Sequence, residues 1–268
     1  MAVIALTSAK GAPGVTTASL ALALTWPRPV LLLEADVSGS SSILAGYQRG
    51  ALRHDRGLVD LALAERRGQL AEGLQHASLP LPGTQARLLP GLTSPAQAAT
   101  LQKVWEQIAV ALTCLERAAT DVIIDAGRLG ATFGPGPLLR EADAVLLVTR
   151  TSLPAISAAR ARAAGLREDL AGHGGGPDSL ALLLVGQGQP YSAREITSAV
   201  RLPVAASLAW DPVNAEVFSI GAEPGRKFGT SSLMRSVQAA GSVIQARIDA
   251  RRERLDPGAR VYQEGRNA

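Results

Sequence analysis

Lys10-Gly11-Ala12-Pro13-Gly14-Val15-Thr16-Thr17 stands between a short β-branched and apolar run, Val3 to Thr7, and a stretch from Thr16 to Thr25 that reads as a helix. A buried strand that ends in a Gly/Pro loop and opens straight into a helix places a row of backbone N–H groups at a helix N-terminus, where phosphate can be cradled. Taken alone, the same residues also fit a plain strand-to-helix turn. The strands downstream weigh toward the first, although Asp36 also fits a turn cap and Asp125 a solvated loop acid.

Val30 to Leu33 is again continuously apolar and ends in Glu34-Ala35-Asp36, the pattern of a parallel strand buried on both faces with polar residues at its carboxyl end. The grammar recurs at Arg87 to Leu92, Asp121 to Asp125, Ala144 to Thr149, Leu180 to Val185 and Val204 to Leu208. Helical stretches such as Leu101 to Ala119 and Ser152 to Arg167 separate these strands. Strands alternating with helices predict an α/β fold with a doubly wound, mostly parallel sheet and helices on both faces. Ser38 to Gln85 is looser, with one helix at Leu58 to Ala64, and reads as an insertion on one edge. Gly172 to Pro177 reads as a flexible loop and Asp256 to Ala268 as a disordered tail, leaving residues 1–255 as one expected domain. No internal repeat is visible.

Composition narrows the classes. With 268 residues, 47% hydrophobic and 19% charged, the chain carries enough apolar material for one sizeable core. Its longest apolar runs fall far short of the roughly 20 residues of a membrane-spanning helix. No basic segment precedes the first apolar run, so no secretory signal is expected and the cytoplasm is the expected compartment. The single cysteine, Cys114, reads as core packing, and the scattered histidines show no metal-site spacing. A net charge of +4 is small and spread along the chain, without the concentrated basic face of a nucleic-acid binder. Lysine occurs only at Lys10, Lys103 and Lys227, so a lysine inside a motif carries extra weight.

Lys10, Gly11, Gly14, Thr16 and Thr17 resemble the deviant Walker A loop of ParA/MinD-type ATPases, in which a signature lysine opens the loop and a second lysine precedes two threonines. Leu31-Leu32-Leu33-Glu34-Ala35-Asp36 resembles that family's acidic strand end, and Asp121-Val122-Ile123-Ile124-Asp125 its Walker B strand. Glu141 to Val148 and Pro203 to Asp211 resemble two later strands, so the likeness covers about Ala2 to Ala222. The resemblance implies the fold read above, ATP or ADP with Mg as cofactors, and a homodimer. It assigns the nucleotide to Gly11, Ala12, Pro13, Gly14, Val15, Thr16 and Thr17, the metal to Thr16, Asp36 and Asp125, and catalytic roles to Asp36 and Lys10, the lysine reaching across the dimer. Where relatives read adenine with an asparagine or a nearby polar residue, this chain has Gly186-Gln187-Gly188, which nominates Gln187.

Two positions depart from the pattern. Ala12 replaces a glycine, which costs about 1–2 kcal/mol if its φ is positive and nothing otherwise. Val15 replaces the phosphate-binding lysine, removing a charge-assisted contact of about 1.5–3 kcal/mol. Binding is expected to be weak, and hydrolysis slow or absent, because charge on a transferring phosphoryl group is stabilised by such cations and by magnesium.

Gly57-Leu58-Val59-Asp60-Leu61 and Leu88-Leu89-Pro90-Gly91-Leu92 most resemble the CpaE/TadZ branch, which serves Flp/Tad pilus machinery. The expectation is therefore a localisation or scaffolding protein whose partners are proteins of such a machine. The alternative is an active partition or positioning ATPase acting on DNA or membrane, with Lys10 or Arg128 compensating for the missing lysine. Leu233, Val237, Ala240, Ile244 and Ile248 recur at helical spacing before Arg247, Arg251, Arg252 and Arg254. Such a helix either grips lipid at the inner membrane face or packs on the sheet; packing is favoured because no bulky aromatic marks an interfacial face.

Overall fold

The computed structural model describes residues 1–113, 115, 119–173 and 175–255. Cys114 and the segment Asp256 to Ala268 lie outside the described residues, as do parts of the expected helix Leu101 to Ala119.

The first strand, β1 (Val3–Ser8), is buried along its whole length. Its side chains split by the strand period of two: Val3 and Ala5 join one apolar cluster, and Ile4 and Leu6 the other. The same division runs through β2 (Val30–Glu34), β5 (Asp121–Arg128), β6 (Ala144–Arg150) and β7 (Leu180–Val185). A sheet covered on both faces explains why these strands read as unbroken apolar runs. With β3 (Leu79–Pro80), β4 (Ala86–Leu89) and β8 (Val204–Leu208) the described strands form one eight-stranded sheet in the order β3-β4-β2-β5-β1-β6-β7-β8. Every pairing is parallel except β3 with β4 at the edge. The α/β, doubly wound expectation therefore holds.

One face is covered by α1 (Val15–Thr25), α9 (Pro212–Ser219), α10 (Ser232–Leu255) and a π-helical turn at Ile43–Tyr47. The other carries α2 (Leu58–Glu65), α3 (Leu70–Ala77), α4 (Ala98–Leu101), α5 (Trp105–Thr113), α6 (Gly136–Arg140), α7 (Leu153–Ala171) and α8 (Ala193–Val200).

Several local expectations change. Strand β4 stops at Leu89, because Pro90 has no N–H to continue the ladder. Strand β5 runs past Asp125 to Arg128, its register against β1 shifting so that Ser8 pairs with Arg128. Of the helix expected over Leu101 to Ala119, the described residues form α5 over Trp105–Thr113, while Leu101 ends the separate α4. Ser38 to Gln85 is no loose insertion: Ile43, Leu58, Leu61 and Leu81 within it are among the most buried side chains, spread over both faces of the sheet. Within Gly172 to Pro177 the amide of Gly175 donates to Arg140 O at 2.7 Å.

Helix α10 packs on the sheet. Leu233, Val237, Ala240, Ile244 and Ile248 are all buried in the cluster shared with α1 and the sheet. Arg252 pairs with Asp143 at 2.8 Å, Arg251 donates to the carbonyls of Asp143 and Gly175, and Arg247 donates to Asp178 O. The apolar stripe and most of the basic cluster are thus held by the protein itself. Among the described residues no helix is long and apolar enough to cross a membrane.

Candidate functional site

The chain reverses its winding direction at β1, with β2 and β5 on one side and β6 on the other, and ligands of open α/β sheets sit at the carboxyl ends of strands at such a point. After Ser8 the loop turns through Gly11 (φ 74°) and Gly14 (φ 100°), both in the region where glycine is favoured. Gly14 is the N-cap of α1 and carries no side-chain cap, and its carbonyl receives the first helical bond from Ala18 N at 2.8 Å. The amides of the first helical turn have no partner one turn earlier. They open on a cleft of about 370 Å³ lined by Gly11 to Thr17, Ser8, Asp36, Ser42, Gly127, Arg128, Phe218 and Ser219.

Ala12 is not among the residues of positive φ, so alanine carries no backbone cost there. Val15 is 7% exposed: it lines the cleft and belongs to the apolar cluster on the α1 face.

Acidic residues gather at and beside this cleft. Asp125 is buried within β5, three residues before its end, beside Glu34 of β2 in register. Its carboxylate accepts from Gly127 N at 3.0 Å and from the Thr16 hydroxyl. Burial pushes Asp125 up to about 6; the bonds from Thr16 and Gly127 work against that rise, and the charge of Asp36 adds to it. Burial likewise pushes Glu34 up to about 7, opposed by the donated hydroxyl of Ser41 and the amides of Gly91 and Ile43, and reinforced by Asp125. Asp36 accepts from Ser38 N at 2.9 Å and lies against Gly127, where a Cβ would stand 2.3 Å from its carboxyl carbon. Gly127 has φ +59° and also accepts the Thr7 hydroxyl at its carbonyl.

Thus Gly11 to Thr17 and Asp36 line one cleft, with Asp125 directly behind through Thr16. Two nominated residues lie elsewhere. Lys10 is exposed and does not line the cleft, and Gln187 accepts the Ser207 hydroxyl at 2.6 Å on the loop after β7, also outside the lining. Near that loop the Arg150 guanidinium sits 3.5 Å over the ring of Trp210, which is 41% exposed. Sequence reasoning missed Ser8, Ser42, Gly127, Phe218 and Ser219. Only Gly127, two residues past Asp125, carried a local signal, that of a glycine inside a strand.

The donors present fit a nucleotide and its metal. Gly11 to Thr17, which include residues of the first helical turn, whose amides lack helical partners, line the cleft, and buried Asp125 stands beside it with Thr16. Among the described residues no set of three or more His, Cys, Asp or Glu side chains forms a cation cage. Magnesium needs none: it takes one or two carboxylates and draws its other ligands from phosphate and water.

No protein-family model matches the chain, and no curated protein matches it. Its fold is similar to that of the MinD cell division protein of Aquifex aeolicus, at 16% identity and TM-score 0.68, covering 92% of this chain and 98% of that one. It is similar to the septum site-determining protein MinD of Pyrococcus horikoshii OT3, complexed with Mg-ADP, at 17% identity and TM-score 0.67, covering 90% and 94%. A ParA family ATPase from Chlorobium tepidum TLS matches at 17% identity and TM-score 0.67, over 90% and 98% of the two chains. At such identities the likeness is one of fold.

Proposed function

We propose that this chain is a ParA/MinD-type nucleotide-binding protein that works as a localisation or scaffolding element, binding ATP or ADP with magnesium weakly and hydrolysing ATP slowly or not at all. The observation that carries the reading is the convergence of the loop Gly11 to Thr17, Asp36 and the Thr16-bonded Asp125 on one cleft at the carboxyl edge of the sheet. In this reading the amides of the first turn of α1 bind phosphate oxygens, and Thr16, Asp36 and Asp125 hold the metal through its hydration shell. Magnesium, when bound, would neutralise charge on the outer phosphates.

Val15 supports slow turnover, because an aliphatic side chain lines the cleft where developing negative charge needs a cation. Lys10, exposed and outside the cleft of its own chain, suits a contact reaching a second copy across a two-fold axis. The pilus or secretion setting is supported by the two CpaE/TadZ-like stretches, which meet in space: Leu58 N donates to Pro90 O at 3.0 Å, and a Cβ on Gly57 would stand 2.5 Å from that oxygen.

Titration calorimetry with ATP and with ADP, with and without magnesium, tests the reading, and no heat at millimolar nucleotide refutes it. The place of Arg128 in the same cleft favours one second reading, an active positioning ATPase. Steady turnover at rates typical of partition ATPases would establish that alternative.

A further inference from the structure

The cleft has a charge problem that its backbone donors do not solve alone. Asp36 lines it and Asp125 stands behind Thr16, so a polyphosphate drawn there meets negative charge, and Val15 supplies none to offset it. Like charges brought together at a protein surface repel more strongly than in bulk water. A metal beside these carboxylates answers part of this. The remainder calls for a cation from the protein.

Among the described residues Arg128 is the one basic side chain lining the cleft. It is the last residue of β5 and the one exposed position of that strand. Its backbone is pinned beside the phosphate loop: Arg128 pairs with Ser8, the final residue of β1, and Leu129 N donates to Ser8 O at 2.8 Å. Other arginines are engaged, Arg140 with Asp169 and Arg252 with Asp143. Within the described residues the Arg128 side chain has neither a hydrogen bond nor an ion pair, although Asp36 lines the same cleft. A planar guanidinium offers paired N–H donors that match phosphate oxygens, and an unengaged one need break no existing contact to use them.

We propose that the Arg128 guanidinium is the protein cation that holds the outer phosphates of the bound nucleotide, supplying from the end of β5 the charge that Val15 does not supply from the start of α1. This rests on the nucleotide reading above, and it moves the cation from the helix to the neighbouring strand.

Calorimetric titration of the full chain with Mg-ATP and with AMP, on wild type, Arg128→Ala and Arg128→Gln, tests the assignment. Both variants are expected to lose about tenfold to a hundredfold in ATP affinity and to keep AMP affinity within about twofold, the arithmetic of one charge-assisted phosphate contact. The position is exposed, so unchanged thermal unfolding is expected in both. A wild type that binds no ATP at millimolar concentration refutes the nucleotide reading itself. A wild type that binds ATP, with both variants matching it or losing AMP as strongly as ATP, refutes the Arg128 assignment alone.

Discussion

Gly127→Ala isolates the contact that aims Asp36 at the cleft. Two separate costs are legible at this position. The first is conformational: φ is +59°, and an L-residue there costs about 1–2 kcal/mol. The second is steric, since the new Cβ would stand 2.3 Å from Asp36 Cγ and 2.5 Å from Oδ2, distances that force the carboxylate to move and break its bond from Ser38 N. Overpacking of this kind costs about 1–3 kcal/mol more. Gly83→Ala supplies the control, because Gly83 has φ +75° with nothing within 4 Å of an added Cβ, so only the conformational cost applies. For a chain of this size each kcal/mol lowers Tm by about 2–4 °C. Scanning calorimetry should place Gly127→Ala several degrees below Gly83→Ala. Magnesium titration in the presence of ATP should show a requirement raised about tenfold, the loss of about 1.4 kcal/mol, in the first variant only. Equal melting temperatures and equal metal requirements would refute the reasoning that Gly127 exists to seat Asp36.

Glu34 gives a pH prediction. Its folded pKa, about 7, lies above its ordinary value of 4.5, so the folded state binds the extra proton, and stability falls as pH rises from about 4.5 through 7, by about 3 kcal/mol at most. Glu34→Gln should flatten that slope in urea melts taken across the window, and an unchanged slope would remove Glu34 as its source. Val15→Lys should raise ATP turnover toward that of an active ATPase; adding Ala12→Gly should contribute nothing further, because Ala12 is not held at positive φ, and a large gain from the glycine in phosphate-release assays would contradict the loop conformation described. Light scattering with and without Mg-ATP should show a two-fold dimer that Lys10→Ala weakens, whereas a monomer at all concentrations would exclude the trans-acting role of Lys10.

How much of the fold was readable beforehand depends on where each signal lives. Strands β1, β2, β5, β6 and β7 announce themselves because both faces are covered, leaving runs such as Leu180–Val185 with no polar interruption. The edge is quieter. Strand β3 is two residues long and pairs only with β4, too short to leave a readable run in the sequence. The burial of Ile43, Leu58 and Leu81 on different faces of the sheet is a tertiary fact. No local pattern distinguishes it from a polar surface insertion rich in Gly, Ser and Arg.

The candidate site divides in the same way. Gly11, Gly14, Thr16, Asp36 and Asp125 are adjacent in space because each sits at or near the carboxyl end of a neighbouring strand or at the start of the helix that comes after it, and strand ends can be counted along a chain. Phe218 and Ser219 reach the same cleft from the end of α9, far along the chain from the loop, through the close seating of the π-helical turn, where a Cβ on Gly46 would stand 2.0 Å from Ser219 O. Nothing around Phe218 marks it. Val15 shows why the motif's departure is more than a lost charge. Its side chain completes the apolar cluster around α1 while it borders the cleft, so one residue serves packing and site together. A lysine restored there keeps its ammonium in the cleft only by laying its methylenes along that cluster, which the apolar stem permits. The substitution is therefore tolerated by the fold for the same reason that it was available to the sequence: the position demands an aliphatic stem, and only the phosphate demands the charge.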